Sequence, residues 1–524
     1  MAGDTWKTAE EVLAGPFGLL SDLIASHARA RPNATAVVDG DRIVSYSTLN
    51  ELVDRVAVAL QRDGVQPTMA IAICAQDSLE YLATFLGALR IGVAVSPLAP
   101  SSTPQQLLMM LSDCAAQLFF LDQGTANSMA SVTDQIPVRT IALDASSAGI
   151  AFETWLPEDG AKPQPVAIDP GWAFNIIYSS GTTGTPKGIV HSHAYRWVSI
   201  ASASGLLRYG PDAVTMVPTP LYSNTTLGSV FATLGHGGAL ILMRRFDARS
   251  FLELAERHRA THAMLVPVQY RRIMAVPDFD QFDLSSFVMK FGSSAPFSTA
   301  LKEDVLRRWP GGLIEFYGMT EGGGSFMLVA HDNPGKLHTV GCTPPGHDLR
   351  VIDENGVELP FGAVGEVVGR SPQMMTGYHN QPAKTASAEW YSPDGQRFIR
   401  TGDIGRFDED GFFILMDRKK DMIISGGFNI YPSDIEAIIA QHPAVQEVAV
   451  VGMPSEAWGE TPVAFVTSRE NMRLSIPELT EFVAARVGKT QRPQAFEIVD
   501  ALPRSAIGKV LKTELRDRFT GTVA

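Results

Sequence analysis

Cysteine is scarce in this sequence: Cys74, Cys114 and Cys342 are the only three in 524 residues. They are widely spaced, fit no metal-ligand pattern and cannot form a disulfide framework. They read as small buried residues of a chain kept in a reducing compartment. No apolar run is long enough to cross a bilayer. The stretch from Thr84 to Leu98 is interrupted by Arg90 and ends at Pro97. The N-terminus, MAGDTWKTAEEVLAGPFGLL, has no basic-then-apolar layout and so is not a signal peptide. Positive charge is also short, with 43 Lys and Arg against 56 Asp and Glu and a net charge of -13. Such acidity excludes a general nucleic-acid binder, although a local basic patch can still hold a phosphate. There is no fixed-period repeat and no low-complexity segment. The expectation is a soluble, cytoplasmic protein with no integral membrane segment and no nucleic-acid partner.

Hydrophobic residues make up 45% of the chain and charged residues 19%, an ordinary globular balance. The length exceeds what one hydrophobic core serves, so several lobes or domains are expected. Short apolar runs alternate with helical patterns, which reads as an α/β fold. Strands are expected at Met69–Cys74, Gly92–Ser96, Phe174–Tyr178, His262–Val266, Phe287–Phe291 and Leu313–Phe316, and helices at Ser78–Ile91 and Phe251–Arg259. From about 335 to 418 the texture turns glycine-rich and β-like, at Leu349–Asp353 and Gly365–Val368, suggesting a small barrel-like subdomain. The charged cluster Asp417–Asp421 (DRKKD) then introduces an α+β pattern of about 100 residues, a common domain size. Two helices there open with capping signals: Ser433 with Glu436, and Ser475 with Pro477 and Glu478. The division expected is 1–419 for a large N-terminal body and 420–524 for a smaller, mobile C-terminal domain.

Tyr178–Gly188 reads YSSGTTGTPKG, directly after a strand. Gly181, Gly184 and Gly188 let the backbone approach a ligand closely. Ser179, Ser180, Thr182, Thr183 and Thr185 add hydroxyl donors and Lys187 a positive charge, a surface suited to polyphosphate. Composition alone would make this an ordinary turn. A Walker A loop is excluded, because Pro186 precedes the lysine and Gly188 follows it.

This segment resembles the signature loop of the adenylate-forming superfamily: acyl-CoA synthetases, luciferases and peptide-synthetase adenylation domains. Further segments resemble the family in its own order: Tyr317–Glu321 (YGMTE), Thr401–Asp403 (TGD), Asp417–Asn429 (DRKKDMIISGGFN) and Pro503–Lys509 (PRSAIGK). The resemblance runs from about residue 175 to 510. It implies ATP, Mg²⁺ and coenzyme A as cofactors and a small carboxylic acid as substrate. The acid would attack the α-phosphorus of ATP to give acyl-adenylate and pyrophosphate, and a thiol would then displace AMP. It is compatible with a homodimer.

Carried over residue by residue, the resemblance implies that Thr183 and Lys187 grip the β- and γ-phosphates, with Ser179, Ser180, Gly181, Thr182 and Gly184 around them. Thr320 would donate to the α-phosphate and Glu321 would ligate Mg²⁺, with Tyr317, Gly318 and Met319 beside the nucleotide. Gly292, Ser293, Ser294 and Ala295 (GSSA) would wall the adenine, unless they form a plain strand-end turn. Asp403 would accept from the ribose hydroxyls and Arg418 would add a nucleotide contact. Lys509 would carry adenylation, and Lys420 would be the hinge about which the C-terminal domain turns. Gly426 and Gly427 would border the pantetheine tunnel. Trp458 and Arg492 match positions near the CoA nucleotide, where either could equally be structural.

The acid pocket implied by position includes Tyr222, Ser223, Asn224, Met264, Phe316, Gly323 and Gly324, with Gly292 and Gly318. Here the sequence departs from the pattern: Pro220-Leu221-Tyr222 is followed by Ser223, where many ligases have a gating histidine. With the glycine run 322–324, this suggests an aromatic, alicyclic or medium-chain acid. His191 and His193, just past the loop, read as structural. Rival readings are a domain that loads an acyl or amino acid onto a carrier protein, a luciferase-like oxygenase, and a non-catalytic nucleotide-binding regulator. The amino-acid rival lacks the expected Asp in Tyr222–Gly228, and the regulator would be expected to have lost Lys509 or Glu321.

Overall fold

A computed structural model describes residues 7–179, 187–419, 421–425, 428–455, 458–470, 472–488, 491–505 and 508–519. The chain divides into two compact units. One comprises Met1–Leu337, Pro344–Asp348 and Arg370–Ile399; the other comprises His338–Thr343, Leu349–Gly369 and Arg400–Ala524. The α/β body and the α+β C-terminal pattern are both present, as expected. Among the described residues no helix is long and apolar enough to cross a membrane.

The first unit is built on two eight-stranded sheets. In one, the strands run in the order Phe326–Val329, Gly312–Tyr317, Met289–Gly292, His262–Leu265, Val214–Val217, Ala239–Leu242, Thr35–Asp39, Arg42–Ser45. The inner pairs are parallel and the two outermost pairs antiparallel. In the other, Gly377–Tyr378, Lys187–Ser192 and Ala173–Ser179 pair antiparallel on one side. Ala94–Pro97, Ala70–Cys74, Ala116–Leu121, Arg139–Ala142 and Ile150–Ala151 continue the sheet in parallel. Strands buried on both faces have no polar side to show, which is why AIAIC reads as an unbroken apolar run.

One continuous apolar core takes residues from both sheets and from the helices Tyr46–Arg62, Leu79–Arg90 and Asn224–Gly235. Leu79–Arg90 is buried almost all round, the fate of a helix lacking a polar face. Ser78 caps it by accepting from the Tyr81 N–H. The suspicious stretch Thr84–Leu98 is thus the end of this helix and the strand after it. The observed helix Ala248–Arg257 and strand Met289–Gly292 are each displaced a few residues from expectation, the usual uncertainty of element ends.

In the second unit, Phe428–Ile430, Ile423–Ser425, Gly459–Ser468 and Val445–Ser455 form an antiparallel sheet, joined in parallel by Ala495–Ile498. Apolar clusters cover its two faces. One gathers the helices Pro432–Ile439 and Ile476–Ala484, the other Leu502 and Leu515.

Three local expectations fail. Ser433 does not cap its helix: its own N–H donates to Asp417 Oδ2 at 2.9 Å, and its buried hydroxyl has no partner. Glu436, the other half of the expected box, instead accepts from Val450 N and pairs with Lys512. A carboxylate delivered from the strand Phe413–Arg418, two strands earlier in the chain, outcompetes the local hydroxyl for the helix N-terminus. Ser475 occupies the N-cap position of its helix but makes no side-chain cap hydrogen bond. Cys74 and Cys114 are buried, but Cys342 is exposed, because it lies in a connecting segment rather than a strand.

Candidate active site

In a parallel sheet the loops at the carboxyl ends of neighbouring strands converge, and that edge is where α/β folds bind ligands. Four adjacent strands of the first sheet end in motif residues. Gly312–Tyr317 leads into Gly318, Met319, Thr320 and Glu321, and Met289–Gly292 into Ser293, Ser294 and Ala295. His262–Leu265 carries Met264, and Val214–Val217 leads to Tyr222, Ser223 and Asn224. Two of these ends touch directly: Thr225 Oγ1 and Ser294 Oγ lie 3.1 Å apart. Ser294 sits at φ 76°, a left-handed conformation uncommon for a non-glycine residue and typical of functional turns. Tyr317 packs on Phe326, its partner in register.

The second sheet supplies Lys187. Ser179 and Lys187 are register partners at the ends of a hairpin whose connecting residues 180–186 lie outside the described residues. Ser180, Gly181, Thr182, Thr183 and Gly184 therefore receive no placement. Lys187 Nζ lies 5.1 Å from the centre of the Tyr378 ring, a cation–π contact. The Tyr378 hydroxyl donates to Glu321 Oε1 at 2.8 Å. Burial and the Glu321 carboxylate both raise the Tyr378 pKa, so the phenol stays a donor. One aromatic ring thus joins Lys187, a candidate phosphate ligand, to Glu321, a candidate metal ligand. Tyr378 was missed in the sequence because its strand, Gly377–Tyr378, is two residues long and joins the sheet only through tertiary pairing.

Met264 and Phe316, expected in the acid pocket, belong to or pack against one apolar cluster with Tyr209, Phe291 and Ile314. Phe316 faces Phe291, with ring centres 5.9 Å apart. Tyr222 is half-buried, and near it lies Asp77, a residue no motif announced. Its Oδ1 accepts from Leu221 N at 2.9 Å, fixing the Pro220-Leu221-Tyr222 turn. Burial pushes the Asp77 pKa up to about 7. The native state therefore prefers the protonated acid, and stability is highest below the ordinary carboxylate range near pH 4 and is lost as pH rises through 7. Asp77→Asn keeps the acceptor and removes this cost, on the order of 2–4 kcal/mol. It should raise the melting temperature at pH 8 and leave it nearly unchanged near pH 4; equal shifts at both pH values would contradict the assignment.

In the second unit, Asp403 and Arg418 face each other across an antiparallel pair. Arg418 Nε lies 3.1 Å from Asp403 Oδ1, and Asp403 is buried while Arg418 is half-exposed. The Thr401 hydroxyl accepts from Asp403 N at 3.0 Å and donates to Val367 O at 2.8 Å, tying this turn to its neighbour. Lys509 sits on a tight loop: its N–H donates to Ser505 Oγ at 3.2 Å, and its carbonyl accepts from Ser505 N at 2.8 Å. Arg504 braces the loop from Gly508 O to Glu447. Trp458 is 44% exposed. Arg492 donates to Ala484 O and is exposed. Lys420, Gly426 and Gly427 lie outside the described residues.

Comparison with known proteins identifies the family. Residues 24–379 match the family described as AMP-binding enzyme, and residues 434–509 match the AMP-binding enzyme C-terminal domain. An indoleacetate–CoA ligase from Aromatoleum aromaticum is 33% identical, over 95% of this chain and 97% of its own length. A fatty acid–[acyl-carrier-protein] ligase from Streptomyces coeruleorubidus is 31% identical, over 95% of this chain and 96% of its own. The crystal structure of ATP-bound MatB from Rhodopseudomonas palustris superposes with a TM-score of 0.84 at 29% identity, covering 95% of this chain and 98% of that one. The chain belongs to the AMP-binding, adenylate-forming enzyme family, in its acid–CoA ligase branch.

Proposed function

We propose that this enzyme is an ATP-dependent acid–CoA ligase. A substrate carboxylate oxygen bonds to the α-phosphorus of ATP as the bond to the bridging oxygen breaks and pyrophosphate leaves. The CoA thiolate sulfur then bonds to the acyl carbon, and AMP departs with the carboxylate oxygen. The first half brings one anion onto another, so its barrier falls with positive charge and hydrogen-bond donors around the phosphorus. The observation that carries the reading is the joining of Lys187 and Glu321 through Tyr378 beside the Thr320 turn.

In this reading Lys187, with Thr183 and its neighbours in the loop, holds the terminal phosphates, and Thr320 donates to the α-phosphate. Mg²⁺ fits Glu321: one carboxylate oxygen accepts from Tyr378, leaving the other for a cation that takes few protein ligands and keeps water and phosphate around it. When bound, the ion would supply charge neutralisation on the phosphate oxygens. Asp403 would accept from the ribose and Arg418 would steady it. Lys509 supplies a cation to the transition state, and Lys420 marks the hinge at the 419/420 boundary. Gly426, Gly427, Trp458 and Arg492 are proposed for CoA.

The acid proposed is aromatic, alicyclic or medium-chain, in keeping with the apolar, aromatic cluster around Met264 and Phe316. The Streptomyces relative gives a second reading weight, in which the acceptor is a carrier-protein thiol. Pyrophosphate release should be measured against an acid panel, with and without CoA. Release with aromatic or medium-chain acids, and thioester only with CoA, is expected. Acyl transfer to a carrier protein but not to CoA would favour the second reading. Preference for acetate or propionate would overturn the substrate class, and no release with any acid would sink the function.

A further inference from the structure

Behind the Thr320–Glu321 turn lies a buried polar network in which Asn175, His191 and Arg196 have no role in the ligase reading. Arg196 is 3% exposed, and its hydrogen-bond partners among the described residues are two amides and an imidazole rather than a carboxylate. Its Nε donates to Asn175 Oδ1 at 2.9 Å, and its NH2 group lies 3.1 Å from His191 Nδ1 and 2.8 Å from Asn224 Oδ1. The guanidinium also faces the rings of Tyr195 and Phe174. Asn175 Nδ2 lies 3.0 Å from the same His191 Nδ1. Two donors therefore converge on one imidazole nitrogen, which must accept. His191 Nε2 then carries the proton and donates to Thr320 O at 2.6 Å. The ring is stacked on Tyr195, with centres 4.1 Å apart. Burial, and next the Arg196 charge, hold the imidazole neutral, which keeps this single tautomer.

A guanidinium buried without a carboxylate is costly, and packed apolar side chains would fill such a space more cheaply. What the polar arrangement provides is rigidity, since a fully satisfied network fixes every member's orientation. Its two ends are informative. One is the backbone of Thr320, which the ligase reading places at the α-phosphate. The other is the side chain of Asn224, which it places in the acid pocket.

We propose that His191 and Arg196 are positioning residues that lock the phosphate-side Thr320 turn and the acid-side Asn224 amide into one network, so that nucleophile and electrophile are aligned together. This rests on the ligase reading. Displacing a reacting group by about 1 Å costs on the order of 10²-fold in rate. With the best acid from the panel, His191→Leu should lower kcat for pyrophosphate release by about 10²-fold while changing the KM for ATP much less. His191→Gln, which restores a donor toward Thr320, should recover a large part of that loss. Arg196→Met should lower kcat and raise the KM for the acid. The double variant His191→Leu/Arg196→Met should cost no more than the worse single variant, as for residues acting as one unit. Unchanged kinetics, or losses that simply add, would overturn the proposal.

A second readout needs no turnover. In full-length wild-type protein labelled with ¹⁵N-histidine, the His191 signal should show protonated Nε2 and bare Nδ1 from about pH 6 to 8, where an ordinary histidine titrates. A titrating ring, or one protonated at Nδ1, overturns the network even if every variant misfolds. Wild-type protein that releases no pyrophosphate with any acid sinks the ligase reading instead, and the labelled spectrum still decides the network.

Discussion

Lys509→Ala is expected to slow acyl-adenylate formation by about 10²–10³-fold, the scale for removing one electrostatic stabiliser from a transition state. Thioester formation from supplied acyl-adenylate should survive far better, because by then the charge on the α-phosphate has already been dealt with. The loop geometry makes the test clean. Its turn is closed by backbone bonds between Ser505 and both Gly508 and Lys509, by the Ser505 hydroxyl, and by Arg504 bound to Gly508 O and Glu447. All of these bonds are made by the backbone, the Ser505 hydroxyl or Arg504, so each remains available in the alanine variant. Gly508, at φ 77°, supplies the left-handed residue that the turn needs and is untouched. The two half-reactions should be followed separately, by pyrophosphate exchange and by CoA thioester formation from synthetic acyl-adenylate. Equal losses in both would show that the residue maintains the fold or binds CoA rather than serving adenylation.

The parts of this site legible in the sequence are those whose chemistry is local. YSSGTTGTPKG follows a strand and YGMTE ends one, so their places at strand ends could be anticipated from alternation alone. Asp403 and Arg418 lie in separate motifs, and the antiparallel register that pairs them confirms that both belong to one ladder. Residues that act through distant partners left no such trace. Tyr378 matters because its two-residue strand lies beside Lys187–Ser192. Asp77 matters because the chain at Leu221 comes back over it. Lys290 sits inside a strand that reads as core. It is fully buried, with its ammonium on the carbonyls of Trp309, Pro310 and Gly311. Burial pushes its pKa down to about 7. Nothing in the local pattern distinguishes such a lysine from a surface one. The Ser433 cap failed for the same reason: propensity describes what a neighbour can do, and Asp417 arrived from another element.

The same contrast decides how the glycine run after Glu321 should behave. Read as sequence, Gly322, Gly323 and Gly324 suggest space for a bulky acid. In the structure the backbone alone accounts for glycine at 322 and 323, with φ of 71° and 89°. A Cβ on Gly322 would lie 2.1 Å from Gln373 O and 3.2 Å from Tyr195. That approach is what pairs Gly322 with Met374, and it lets Gly323 N reach Gln373 O and Met375 N reach Glu321 O. Gly322→Ala should therefore cost about 1–2 kcal/mol for the left-handed backbone and about 1–3 kcal/mol for the overlap. The only relief is to separate these two segments, and that moves Glu321. Activity should then fall by on the order of 10²-fold, the penalty for a displacement of about 1 Å. Gly335→Ala is the control, since Gly335 has ordinary φ and nothing within 4 Å of an added Cβ. Melting temperature and pyrophosphate release should both drop for the first variant and stay near wild type for the second. A stable, fully active Gly322→Ala enzyme would mean that the Glu321 turn is held by something other than this backbone contact.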